Sequence, residues 1–143
     1  MQTTVNDNLR LVARAWVESI NKRSPETFLN LHQESVVLYD PTLGSLTGRT
    51  ALRNMWDGLF GMFPDYQVRK VREFGQDDWV CLEVEESGTM KGQLHAGPKE
   101  IPPTGKSFKI PSSIICRVVD GQIGEVRIYF DVLGLMAQLG LGP

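Results

Sequence analysis

Histidine, cysteine and net charge are all scarce in this chain, and each shortage removes a class of function. The two histidines, His32 and His95, stand far apart, with no acid or second histidine at a ligand spacing, so no metal site is expected. The two cysteines, Cys81 and Cys116, fall in separate strand-like segments without Cys-x-x-Cys spacing. They read as buried thiols used as small apolar groups. A formal net charge of −2 leaves no electrostatic footprint for nucleic acid. The main basic cluster, Arg69-Lys70-Val71-Arg72, reads as the solvated face of a strand. No uncharged apolar run nears the ~20 residues of a membrane helix. The N-terminus lacks the basic start and apolar centre of a secretory signal. Neither nucleic acid nor membrane is an expected partner, and the expected compartment is the cytoplasm. With no Gly-x-Gly-x-x-Gly after a strand and no phosphate-binding Gly-rich loop, no cofactor is expected either.

What is present fits one domain, residues 1–143. Leu9, Val12, Ala13, Trp16, Val17 and Ile20 recur at three- and four-residue steps, which predicts a helix over Val5–Lys22 with Asn6 or Asn8 as cap. Ser24-Pro25 opens a short second helix to about Gln33, with His32 as a cation favoured near its C-terminus. Val36–Tyr39 is a short strand stopped by Asp40-Pro41. A third helix runs from Ala51 to about Met62 and is ended by Pro64. Strands follow at Tyr66–Phe74, Trp79–Gly88, Ser107–Val119 and Gln122–Val132. Asp120-Gly121 marks a hairpin between the last two. Thr89–Lys106 is a long Gly- and Pro-rich loop of the kind that carries function. Helices first and strands later imply α+β: one curved, mostly antiparallel sheet with about three helices on its concave face.

The closing strand divides by parity. Glu125, Arg127, Tyr129 and Asp131 share one face, while Val126, Ile128, Phe130 and Val132 share the other. The second face, with Ile114 or Ile115, is too apolar to face water, so a homodimer is expected. The first face ends in an acid beside an apolar tail, where a general acid or base would be of use.

Several segments together resemble the SnoaL-like polyketide cyclase branch of the NTF2-like superfamily. They are Tyr39-Asp40-Pro41 with Gly48, Phe63-Pro64-Asp65, Gly88-Thr89 with Gly92, Pro103-Thr104-Gly105-Lys106, Asp120-Gly121 with Ile123 and Glu125, Tyr129-Phe130-Asp131, and Gln138-Leu139-Gly140. The resemblance implies a cone of curved sheet closed by helices, with a substrate between sheet and helices. It also implies an acidic residue acting on carbon next to a carbonyl, and Asp131 matches that position. The histidine of the cyclases falls on Arg117 here, and Arg127 stands where related enzymes often carry tryptophan.

Asp131 is therefore the expected acid–base group, with Tyr129 or Arg117 steadying an oxyanion. Its simpler role is a pairing with Arg127 or a cap on the terminal helix. Arg127, about 13 Å from Asp131 by strand rise, is the expected contact for an anionic substrate group, or else the partner of Glu83 or Glu85. Trp16, Trp56 and Phe60 form core and pocket wall, suited to a small hydrophobic molecule. Asp40 and His95 are further candidate contacts, from a strand end and from the long loop. The expected activity is a cofactor-independent cyclisation or isomerisation of a hydrophobic carbonyl compound. The alternatives are a non-catalytic ligand-binding module and, behind it, an epoxide-opening hydrolase.

Overall fold

The hairpin marked by Asp120-Gly121 anchors the architecture. In the computed structural model, which describes residues 2–96 and 99–142, strands β7 (Ser107–Val119) and β8 (Gln122–Phe130) meet at that turn. Asp120 and Gly121 both have positive φ, 50° and 76°, as the two central residues of a type I′ hairpin require. A second hairpin joins β3 (Gln67–Gln76) to β4 (Trp79–Thr89). Strands β1 (His32–Asp40) and β2 (Gly44–Thr47) complete one six-stranded sheet in the order β2-β1-β8-β7-β4-β3. Among the described residues, only the β1–β8 pairing is parallel. Register breaks lie between His32 and Val37, Lys70 and Arg72, and Arg117 and Val118. Such irregularities raise the local twist and bend strands, which is what a curved sheet needs.

Helices cover the concave face. Helix α1 runs through Val5–Ala13, a π-helical stretch at Arg14–Glu18 and a last turn at Ser19–Asn21. Its cap is Thr4, in place of the expected Asn6 or Asn8: the Thr4 hydroxyl accepts from Asp7 N while Asp7 accepts from Thr4 N. Asn8 is buried and its side chain donates to Asp77 O. Helix α2 is Pro25–Asn30, α3 is Arg49–Met62 and α4 is Val132–Leu139. Val12, Ala15, Trp16, Phe28, Leu52 and Trp56 bury against Leu38, Val80, Leu82, Val84, Ile114 and Val126. Each such large apolar side chain contributes roughly 1.5–3 kcal/mol relative to exposure.

Two local expectations are corrected. His32 is not a helix-end cation but the buried first residue of β1. Its Nε2 accepts from Trp16 Nε1 at 3.1 Å, so its Nδ1, 2.7 Å from Phe28 O, carries the proton and the ring is neutral. Burial pushes its pKa down to about 4. The ring ties the start of β1 to α1 and α2, which is why the strand begins before Val36. The segment after Asp40, expected as loop throughout, contains β2, whose Gly44–Thr47 pair with Val37–Asp40.

The long loop is structured as well. It holds a small hairpin, β5 (Leu94–Ala96) and β6 (Lys99–Ile101); Gly97 and Pro98 within it lie outside the described residues. Its entry is fixed to the end of α3, where Lys91 N and Gly92 N both donate to Met62 O. A Cβ at Gly92 would stand 1.9 Å from Gly61 O, so only glycine permits that approach.

Candidate active site on the concave face

Alternation along the strands decides which side chains look inward. On β4 the inward set is Val80, Leu82 and Val84, followed by Glu86; on β1 it is Val36 and Leu38, followed by Asp40. On β7, Ser112 interrupts Phe108, Ile110, Ile114 and Cys116. Glu86, Asp40 and Ser112 thus sit on otherwise apolar parities, and these three lie toward one end of the sheet, away from His32 at the start of β1. Tyr66 joins them from the segment between α3 and β3.

Tyr66 is held from both sides. Before it, Asp65 accepts from Thr89 N at 2.7 Å and Thr89 Oγ1 at 2.8 Å, which fixes the turn to β4 and keeps the Asp65 pKa low. After it, the Asn21 amide donates to Val68 O at 2.8 Å and accepts from Val68 N at 3.0 Å, pinning the edge strand to α1. The Tyr66 ring, 4% exposed, meets Phe60 edge-on at 5.8 Å between centroids. Its hydroxyl donates to Glu86 Oε1 in a short hydrogen bond.

Glu86 keeps some access to solvent, yet burial raises its pKa, and the Asp40 carboxylate raises it further. The hydrogen bond from Tyr66 opposes that rise without cancelling it, as does the nearby Ser112 hydroxyl, which donates to Tyr129 O at 3.3 Å. Burial, then the charge of Glu86, push the Tyr66 phenol well above its ordinary range, so it stays a proton-bearing donor. Asp40, 8% exposed, is oriented by the turn that follows it. Its Oδ1 accepts from Thr42 Oγ1, Thr42 N and Leu43 N at 2.5, 2.7 and 3.2 Å. The wall beside the cluster is aromatic: Trp16 meets Phe28 edge-on at 5.0 Å, and the tilted Phe28–Trp56 and Trp56–Phe60 pairs stand 5.0 and 4.7 Å apart. Of the expected site residues, Trp16, Trp56, Phe60 and Asp40 belong to this face.

The other expected site residues are elsewhere. Asp131 is exposed and caps α4, its Oδ1 accepting from Gly134 N at 2.9 Å. A Cβ at position 134 would meet Asp131 Oδ2 at 2.4 Å, so Gly134 leaves room for the carboxylate. Tyr129, 42% exposed, and Arg127 point to the convex face, because Val126 and Ile128 take the inward parity of β8. Arg127 Nε donates to the Tyr129 hydroxyl at 2.8 Å and the guanidinium stacks 4.9 Å from the Tyr39 ring centroid. Its nearby carboxylate is Glu125, not Glu83 or Glu85. Glu83 and Glu85 face outward and pair with Arg72, and with Arg69 and Lys109. Arg117 pairs with Asp78 at 2.9 Å on the convex side. His95 is exposed on β5, 3.7 Å from Glu100. The face expected to bury against a second copy, Val126, Ile128 and Ile114, is filled by the chain's own core, which removes that argument for a dimer. Cys116 is buried as expected, whereas Cys81 is only half-buried and faces outward.

Among the described residues, no group of three or more His, Cys, Asp or Glu is placed to hold a metal ion, and no helix is long and apolar enough to cross a membrane. Two open depressions, of about 500 and 960 Å³, lie around Thr89 and Lys109 and around Asp77 and Asp78; neither is lined by Glu86, Tyr66 or Asp40. The first is a polar surface groove; the second is at the opposite end of the sheet.

The structure superposes on a protein of Jannaschia sp. CCS1, provisionally named a SnoaL-like polyketide cyclase, with a TM-score of 0.85 at 18% identity, covering 100% of this chain and 99% of that one. A protein of Xanthomonas campestris pv. campestris, provisionally named a polyketide cyclase, gives 0.83 at 21% identity over 96% and 99%. An M. tuberculosis epoxide hydrolase of the LEH-like type gives 0.71 at 18% over 96% and 92%. These likenesses establish the fold. No protein of curated function matches the sequence. The family profile described as SnoaL-like polyketide cyclase matches residues 10–139, and the chain belongs to that family.

Proposed function

We propose that this protein is a cofactor-independent enzyme that moves a proton on carbon next to a carbonyl of a hydrophobic substrate, in a cyclisation or isomerisation. Glu86 is the acid–base group, and Tyr66 holds it in place through the hydroxyl. The observation that carries the reading is a carboxyl group on the apolar parity of a strand, with its proton affinity raised by burial and by Asp40. A carboxylate so raised works closer to neutral pH than a free one, where both its protonation states are usable. Membership of the cyclase family supports the reaction class.

The role moves from Asp131 to Glu86 because Asp131 is exposed and one of its oxygens is engaged in capping α4. The epoxide-opening alternative needs an arginine converging with two acids on one water. Asp40 and Glu86 supply acids, but Arg117 and Arg127 both face outward, so it is not favoured.

The test is exchange of α-protons in D2O, followed by NMR, across a panel of polycyclic ketones and β-keto esters. Wild type is expected to accelerate exchange for at least one member, and Glu86→Gln to lower that rate about 100-fold or more. Undiminished exchange in Glu86→Gln contradicts the assignment. Tight binding of a panel member with no exchange at all replaces the enzyme by the binding module.

A further inference from the structure

The concave site is negative: among the described residues no arginine or lysine pairs with Glu86 or Asp40. The charge that reaches Tyr66 and Glu86 from outside the pair is that of Asp40. Helix α3 ends at Met62, just before Tyr66, and so brings the negative end of its dipole to the same region. The cations of the sheet lie on the convex face, in pairs: Arg69 with Glu85, Arg72 with Glu83, Arg117 with Asp78, and Arg127 over Tyr39. Lys70, at the edge, is paired with Glu73. Arg23 stands beside the aromatic wall, where it donates to Ile20 O and Pro64 O and rests on the Phe60 ring at 4.6 Å. That contact shows the same aromatic wall already accepting a cation.

We infer that the ligand of this site is a hydrophobic cation, a compound whose protonated or quaternary amine meets Glu86 and Asp40 while its apolar body lies along Phe60 and Tyr66. Aromatic faces and carboxylates together are the recognised means of holding such a group. The inference rests on the proposed site at Glu86 and names its substrate class. It also fits the chemistry. Among the described residues no arginine or lysine pairs with Glu86 or Asp40 and no metal ligand set is formed, whereas a positive nitrogen near the carbonyl carries the stabilisation of an enolate in the substrate itself. Acidic ligands such as carboxylates and phosphates are excluded by the same two acids.

Three probes of one shape test this by calorimetry: benzyltrimethylammonium, its uncharged carbon isostere neopentylbenzene, and phenylmethanesulfonate. Wild type is expected to bind the cation at least about tenfold more tightly than the neutral probe, with the sulfonate weakest. Glu86→Gln and Asp40→Asn, each of which keeps the hydrogen-bond acceptor used in its present contacts, are expected to reduce that preference severalfold. A neutral or anionic probe that binds as tightly as the cation, no binding of any probe, or a preference untouched by both variants overturns the inference. The outcomes separate from those of the exchange assay. Cation preference without α-proton exchange leaves this inference standing and removes the catalytic one, and exchange with ketones alone does the reverse.

Discussion

The two faces of the sheet handle their charged groups in opposite ways. On the convex face charges are numerous, exposed and mutually paired: Arg69–Glu85, Arg72–Glu83, Lys109–Glu85 and Arg117–Asp78. Exposed pairs of that kind are screened by water and salt and contribute little to stability. On the concave face polar groups are few, each interrupts an apolar row, and each acts on the others at low effective dielectric. Burial therefore raises the proton affinity of Glu86 and Tyr66, while the convex pair Arg117–Asp78 is shifted mainly by its own hydrogen bond. The density of charge is a poor guide to a site; its cost of burial is a better one.

Substitutions sharpen that contrast. The largest effect is expected in the inner core, where Phe28 is fully buried between Trp16, His32 and Trp56. Phe28→Ala is expected to cost about 3–5 kcal/mol in urea unfolding, from lost transfer energy plus the cavity. A cost under 1 kcal/mol means that the aromatic wall is not packed as described.

His32 gives the inner face an acid sensitivity. Its folded pKa of about 4 lies below the ordinary imidazole value of 6.5, so the unfolded chain binds the extra proton between those values. The stability it permits is present above pH 6.5 and is lost as pH falls toward 4, by up to about 3 kcal/mol. Urea unfolding between pH 7.5 and 4.5 measures the slope. His32→Phe, which cannot take the proton, is expected to flatten it, and an unchanged slope assigns the acid sensitivity to other groups.

Effects at the sheet end and on the convex face are smaller. Asp131→Ala is expected to lose about 1 kcal/mol of stability with the α4 cap, while Asp131→Asn keeps the cap and nearly all of it. Arg127→Ala is expected to leave activity and melting temperature unchanged, since its contacts are exposed. A drop in activity there assigns function to the convex face and dissolves the contrast.

Much of this was legible in the sequence, and what was missed follows a pattern. The Asp120-Gly121 hairpin, the Ser107–Val119 strand, the proline-started α2 and the helices at the N-terminus are set by local chemistry, so alternation and turn residues suffice. The site depends on which parity faces inward, which one strand cannot say. The polar row Glu125, Arg127, Tyr129 and Asp131 reads as an odd face that needs a pocket, yet the apolar row of Val126 and Ile128 turned in. The informative signal was the reverse one, a polar residue on an apolar parity: Glu86 after Val80, Leu82 and Val84, Ser112 between Ile110 and Ile114, and Asp40 after Val36 and Leu38. That signal gains force only when three strands show it at the same end. Tyr66 had no such mark, because Pro64 and Asp65 set it in a turn. Its role comes from tertiary contacts with Glu86 and the clamps at Thr89 and Asn21.

The central claim is that the working acid belongs to the concave face. Parallel measurement of kcat/KM for Glu86→Gln and Asp131→Asn, on whichever ketone the wild type exchanges, tests it most directly. The expected result is a loss of about 100-fold or more for Glu86→Gln, with Asp131→Asn within about twofold of wild type. The opposite order, with Asp131→Asn inactive and Glu86→Gln intact, contradicts the account.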